Sequence, residues 1–117
     1  MTTQTIANRL VELCRQGQYD QAYQELFAEN AVAIEPARYN VPPTEGLPAL
    51  LEKGKKWAED LVEVHDTTVS NPIVAGDYFT VSMSLDLTTK SQGRSQMEEI
   101  CLYEVQDGKV VKEQFFY

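Results

Sequence analysis

The C-terminal stretch from Met97 to Tyr117 constrains this chain more than any other. Two β-rich runs, 97–105 and 110–117, flank Gln106, Asp107, Gly108 and Lys109. Asp107-Gly108 suits a two-residue hairpin turn, because both central residues of such a turn need positive φ. A hairpin fixes register, and register decides which side chains share a face. Unbroken pairing outward from Gln106 opposite Lys109 sets Glu104 opposite Val111, Leu102 opposite Glu113, Ile100 opposite Phe115 and Glu98 opposite Tyr117. That face is mostly apolar yet carries carboxylates, a pattern that suggests the wall of a pocket.

Upstream, residues 78–89 alternate almost perfectly. Phe79, Val81, Met83, Leu85 and Leu87 form one face against Tyr78, Thr80, Ser82, Ser84, Asp86 and Thr88 on the other. A period of two marks a half-buried strand. Residues 67–74 read as a further strand, turned by Ala75, Gly76 and Asp77. The polar face of the long strand, with Tyr103 and Lys112 beside it, is expected to point outward.

The N-terminal half reads as helical. Ile6, Leu10, Leu13 and Cys14 recur at helical spacing over residues 3–16, and Gly17 suits the position after the helix. A short second helix starts at Asp20 and carries Ala22, Tyr23, Leu26 and Phe27 on one side. Residues 31–35 form a short strand stopped by Pro36, and Pro36, Pro42 and Pro43 make residues 36–45 a loop. A third helix runs from about Pro48 to Glu63, with Leu47, Leu50, Leu51, Trp57, Ala58 and Leu61 as its apolar stripe. Lys53 falls on its solvated face, and Gly54 inside it suggests close packing. Helices followed by a meander of strands predict an α+β domain. Three helices pack on one side of a strongly curved, mixed but mostly antiparallel sheet, with a pocket between.

With 117 residues the chain has room for one domain, residues 1–117. Ten Lys and Arg against 18 Asp and Glu give a net charge of −8, which argues against nucleic acid and anionic membranes as partners. No signal segment or membrane span is evident. Cys14 and Cys101 are expected to be free thiols in a cytoplasmic protein. One histidine and two distant cysteines offer no metal site. No phosphate loop or nucleophile elbow points to a cofactor or to nucleophilic catalysis.

Certain runs carry a resemblance. Tyr19-Asp20 leads through Phe27, Ala28, Glu29, Asn30 and Ala31 into a strand. Gly46-Leu47 opens the third helix, and Asp107, Gly108, Lys109, Val110 and Val111 make the closing hairpin. In this order they resemble a SnoaL-like protein of the nuclear-transport-factor-like, cystatin-like α+β cone superfamily. The resemblance spans essentially the whole chain. It implies a deep pocket between the concave sheet face and the helices, and homodimerisation through the outer sheet face. The superfamily holds isomerases, cyclases, hydrolases, dehydratases and binding proteins, so fold alone does not choose an activity. Ketosteroid isomerase shares the scaffold and uses an Asp base with an oxyanion hole of a Tyr and a protonated Asp. Its base immediately precedes a proline at the end of the first strand, matched here by Glu35-Pro36. Its Tyr falls at Leu10 or a neighbour and its second acid at Ile100, so the resemblance implies a base without either oxyanion donor.

The candidate chemistry follows. Glu35, at a strand end beside an apolar cavity, can serve as a base if its pKa is raised, or simply pair with Arg38. Glu113 shares the core face and needs a partner, from Tyr117, Glu98 or Glu104, or from His65 or Lys112 in another register. His65, the one histidine, is a candidate acid/base oriented by Glu63 or Asp66, or a cation at a helix C-terminus. Tyr39, Trp57, Ile100, Leu102, Phe115 and Tyr117 are candidate pocket walls, Tyr39 as a lid, although aromatics at such spacings also build plain cores. The expectation is a cofactor-free isomerase, cyclase or dehydratase acting on a small, mostly apolar molecule. The alternative is a non-catalytic ligand-binding or accessory homodimer.

Overall fold

The computed structural model describes residues 1–117. Helix α1 spans Thr3–Arg15 and buries Ile6, Ala7, Leu10, Val11, Leu13 and Cys14. The Thr2 side chain accepts from the Thr5 amide at its start. At its end Gly17 takes φ +71°. The Gln18 amide then returns to the Leu13 carbonyl and the Gly17 amide to the Cys14 carbonyl. These two bonds satisfy carbonyls that the helix end leaves open.

Helix α2, Tyr19–Leu26, runs directly into strand β1, Phe27–Ile34. Phe27 therefore starts a strand rather than ending a helix, four residues earlier than the sequence suggests. A 3-10 turn at Ala37–Tyr39 follows, and a two-residue strand β2, Thr44–Glu45, forms inside the proline-rich loop by pairing with Val32 and Ala33. Helix α3 spans Leu47–Asp60, with proline in its first turn. It stops three residues before the expected end. Strand β3, Leu61–Val69, begins there, pairing with the long strand β5 through two irregularities. The β-branched Val62, Val64, Thr67, Thr68 and Val69 suit this strand, and pairing overrides a helical stripe that ran on to Leu61. Strand β4, Ile73–Ala75, is separate from β3.

Strands β5, Tyr78–Thr89, and β6, Gly93–Gln106, pair along their whole lengths, and β7, Lys109–Phe116, closes the chain. The sheet order is β2-β1-β7-β6-β5-β3, with β4 beside β5. Only β1 and β7 run parallel. The fold is an α+β cone: three helices against one face of a mixed, mostly antiparallel, open sheet. The alternation of β5 places Phe79, Val81, Met83, Leu85 and Leu87 in the interior. Tyr103 stacks on Phe79 with centroids 4.7 Å apart. No helix is long and apolar enough to cross a membrane.

The closing hairpin turns as predicted, with Asp107 at φ +52° and Gly108 at +74°. Gln106 faces Lys109 and Val105 faces Val110, but Glu104 then faces Lys112, so Val111 is an extra residue in β7. This bulge moves every later pair by one. Glu113 faces Tyr103, Phe115 faces Cys101 and Phe116 faces Ile100. Ile100 is consequently on the outer face and 47% exposed, and Leu102 shares that face, half-buried. Neither lines the interior, contrary to the unbroken register.

Candidate functional site

Three carboxylates point to the helix-covered side of the sheet. Glu113 is carried by β7, Glu99 by β6, and Glu35 by the residue just after β1. Glu113 is the one charged side chain in the buried core, 4% exposed. Its neighbours across the sheet, Ala33 and Tyr103, are both buried. The Tyr23 hydroxyl donates to Glu113 Oε1 at 2.9 Å, and Tyr103 is its direct cross-strand neighbour. Burial pushes the Glu113 carboxyl up to about 7, against the pull of Tyr23 and Tyr103; Glu99 adds to the rise and Lys53 opposes it.

Glu99 is half-buried. Burial raises its carboxyl to about 6; a hydrogen bond from Cys101 and the charge of Lys53 lower it, while Glu35 raises it. Glu35 lies nearer the surface, its side chain 16% exposed and in an ion pair with Lys53. Tyr117 donates to Glu35 Oε2 at 2.7 Å. Lys53 thus reaches from α3 to the carboxylate at the end of β1, while its side chain stays 44% exposed. Its ammonium also lies 5.8 Å from the centroid of Phe115. Burial drives the Cys14 thiol up to about 12 and raises Cys101 as well, so neither is a nucleophile at neutral pH.

The three acids share this face, Glu113 buried and Glu99 and Glu35 half-buried. Tyr39, half-exposed, and Tyr117 meet beside Glu35 with ring centroids 5.5 Å apart. Trp57 packs edge-on against Tyr19 at 5.8 Å, where α2 meets α3. The three acids can hold a proton on one carboxyl while another stays ionised. Near pH 7, Glu99 at about 6 is mostly ionised and Glu113 at about 7 is half-protonated. Two carboxyls so separated suit an acid and a base.

The structure does not bring His65 to these three acids. His65 lies on the edge strand β3, with Nδ1 2.6 Å from Glu63 Oε2 and Nε2 2.7 Å from Thr88 Oγ1. Thr88 alternates with the inward Leu87, so His65 belongs to the outer face. It is three strands from Glu113, roughly 14 Å at the usual strand spacing. Glu98 and Glu104 also face outward, paired with Ser84 and Lys112.

Glu99 is the residue that sequence reasoning missed. Its signal was the alternation Glu99, Cys101, Tyr103, Val105, which the misjudged register turned outward. At the strand position where Ile100 was expected inside, the inward side chain is Glu99. Two surface clefts lie elsewhere, one of about 390 Å³ beside Asn8, Arg15 and Asn71 and one of about 590 Å³ beside Met1, Asp77 and Asp107. Neither contains any of the three carboxylates. No group of three or more His, Cys, Asp or Glu side chains is placed to hold a metal ion.

Known proteins share this fold. Residues 1–117 match the model of the SnoaL-like domain. A candidate SnoaL-like polyketide cyclase from Mesorhizobium loti is 35% identical, with TM-score 0.92 and 100% of each chain covered. A candidate isomerase from Bacillus subtilis is 18% identical, with TM-score 0.78 over 98% of this chain and 88% of that one. TerC, co-crystallised with polyporic acid, is 12% identical, with TM-score 0.76 over 99% and 92%. The latter two show likeness of fold alone. A search among curated proteins finds no match. The whole-length domain match and the 35% identity over both complete chains establish that this chain belongs to the SnoaL-like family.

Proposed function

We propose that this chain is a cofactor-free acid/base catalyst of the isomerase, cyclase or dehydratase type, acting on a small, mostly apolar molecule. One observation carries the reading: Glu99 and Glu113 share the inner sheet face, and burial moves both carboxyls toward neutrality. Glu99, half-buried, is the base that meets substrate and takes a proton from carbon next to a carbonyl. Glu113 sits behind it as a proton store. Glu35 is the anion that opposes the ionisation of Glu99, and Lys53 favours it. Lys53, held by Glu35, faces the charge that develops on the substrate oxygen. Phe115, Tyr117, Tyr39 and Trp57 supply the apolar walls. The family relationship to a candidate polyketide cyclase and the small organic molecule held by TerC are consistent with this.

The test needs no known substrate. Small β-keto esters in D2O exchange their α-protons when a base removes them, and mass spectrometry reads the gain. The wild type should accelerate exchange, Glu99→Gln should lose at least tenfold of it, and His65→Ala should leave it unchanged. Equal exchange by wild type and Glu99→Gln would remove the base assignment.

A second reading, a non-catalytic binding protein, is favoured by the filling of the interior by Phe79, Tyr103, Phe27 and Tyr23. It predicts that ligand raises the melting temperature while carboxylate variants change affinity only modestly. In either reading we place the protein in the cytoplasm, where the free thiols Cys14 and Cys101 stay reduced. We also propose a homodimer through the outer sheet face, where Ile73, Tyr78, Ile100 and Phe116 are 72%, 49%, 47% and 47% exposed.

A further inference from the structure

We infer that Arg38 makes the site selective for small apolar acids: its guanidinium, backed by two tyrosine rings, takes the carboxylate of a ligand whose body runs inward along Tyr117 and Phe115. The inference rests on the pocket proposed above and adds the class of ligand that the pocket takes.

The argument starts from the arginines. There are four, in a chain whose net charge is −8. Arg9 binds Glu12 and Glu25, Arg94 binds Asp86, and Arg15 donates to the Val69 carbonyl and Asn71. Arg38 alone has no carboxylate or carbonyl partner. Its one polar contact is a long 3.5 Å approach to the Tyr39 hydroxyl. With 18 acidic side chains in the chain, an exposed arginine that none of them engages keeps its N–H donors free for an anion from solution.

Its position is also fixed. The guanidinium carbon lies 4.9 Å from the centroid of Tyr39 and 5.8 Å from that of Tyr117. Such stacking holds the plane of the group while leaving N–H donors on its edge. The 3-10 turn that carries it is bounded by Pro36 and by Asn40 in a left-handed conformation at φ +50°. A guanidinium pre-oriented in this way suits a carboxylate, which it can bind through two parallel hydrogen bonds.

The neighbouring charges set the orientation of the ligand. Lys53 is engaged by Glu35, and Glu35 accepts from Tyr117 as well, so that pair is satisfied within the protein. Glu99 lies further inward and repels an acid at its own level. The acidic end of a ligand is thus favoured at Arg38, with its uncharged body against Phe115 and its reacting carbon toward Glu99. A diacid would meet Glu99 with its second charge and bind less well.

The test compares two probes of nearly equal shape, 2-naphthoate and 2-naphthamide, by calorimetry at low salt. The wild type should bind the acid at least about tenfold more tightly, the usual scale of a charge-assisted hydrogen bond. Arg38→Gln should erase that preference without weakening the amide, and Arg38→Lys should restore it in part. Added salt should shrink the preference in the wild type. Equal affinity for acid and amide, a preference that survives in Arg38→Gln, or no binding of either probe at millimolar concentration overturns the inference. Melting curves confirm that the variants are folded. Glu99→Gln should keep the acid preference while losing proton exchange, so failure of the catalytic reading and failure of the selectivity are separate results.

Discussion

The Tyr23 hydroxyl donates a 2.9 Å hydrogen bond to Glu113 Oε1, joining α2 to β7 through the core. Burial of Tyr23 raises its own pKa, so it remains a donor throughout the physiological range. The bond is charge-assisted whenever Glu113 is ionised and neutral when Glu113 is protonated. Tyr23→Phe should therefore destabilise the fold by about 1–3 kcal/mol at about pH 8 and by about half that at about pH 5. Urea denaturation at the two pH values measures the difference. An equal loss at both would show that Glu113 does not change charge in the folded protein.

Glu113 should also govern the pH dependence of stability. Its folded pKa of about 7 lies above the ordinary value of 4.5, so between these values the folded state binds more protons than the unfolded state. Stability is then fully present below about pH 4.5 and is lost as pH rises through about 7. Glu99, raised to about 6, adds to the loss in the same direction. Glu113→Gln removes the larger part. The variant should have a flatter profile than the wild type and a higher melting temperature at about pH 8. Parallel slopes for the two proteins over this window would rule out the assignment.

The interior of β5 was fully legible, because a period of two needs nothing beyond the local chain. Phe79, Val81, Met83, Leu85 and Leu87 are all buried. The turn at Asp107-Gly108 was legible for the same reason. The bulge at Val111 was not, since it arises where the curvature of the sheet breaks the ladder, and no residue type demands it. That one residue exchanged Glu99 for Ile100 as the inward side chain and hid half of the acid pair. Glu113 was placed on the correct face, but its partners are Tyr23 and Tyr103, and the Tyr23 contact depends on how α2 docks. His65 looked central because it is the only histidine, yet β3 carries it to the far edge.

Gly54 offers a stabilising change. Close packing seemed to explain a glycine within α3, but a Cβ added there meets only Asp20 Oδ1, at 3.2 Å. Asp20 is exposed, so its side chain can rotate away. Alanine is preferred over glycine inside a helix by about 1 kcal/mol, and Gly54→Ala should raise stability by roughly 0.5–1 kcal/mol. Chemical denaturation measures the gain. A loss would mean that Asp20 is held more firmly than its exposure implies.

The last prediction concerns the outer face. Ile100 faces Phe116 across β6 and β7, and both are 47% exposed, so they present adjoining apolar side chains to solvent. Tyr78, opposite Glu104, and Ile73, opposite Thr80, are further exposed apolar side chains on the same face. Stable homodimers commonly bury about 1,600 Å² in total, with an apolar centre depleted of charge. A carboxylate at the centre of such an interface would be buried against its own copy across the two-fold axis, where like charges repel. Ile100→Glu should therefore convert the proposed dimer to a monomer while leaving the fold intact, because in the single chain this position is half-open to water. Sedimentation equilibrium over a hundredfold concentration range decides it, with circular dichroism as the control for folding. A wild type that stays monomeric across the range, or an Ile100→Glu variant that still dimerises, would place the interface elsewhere or remove it.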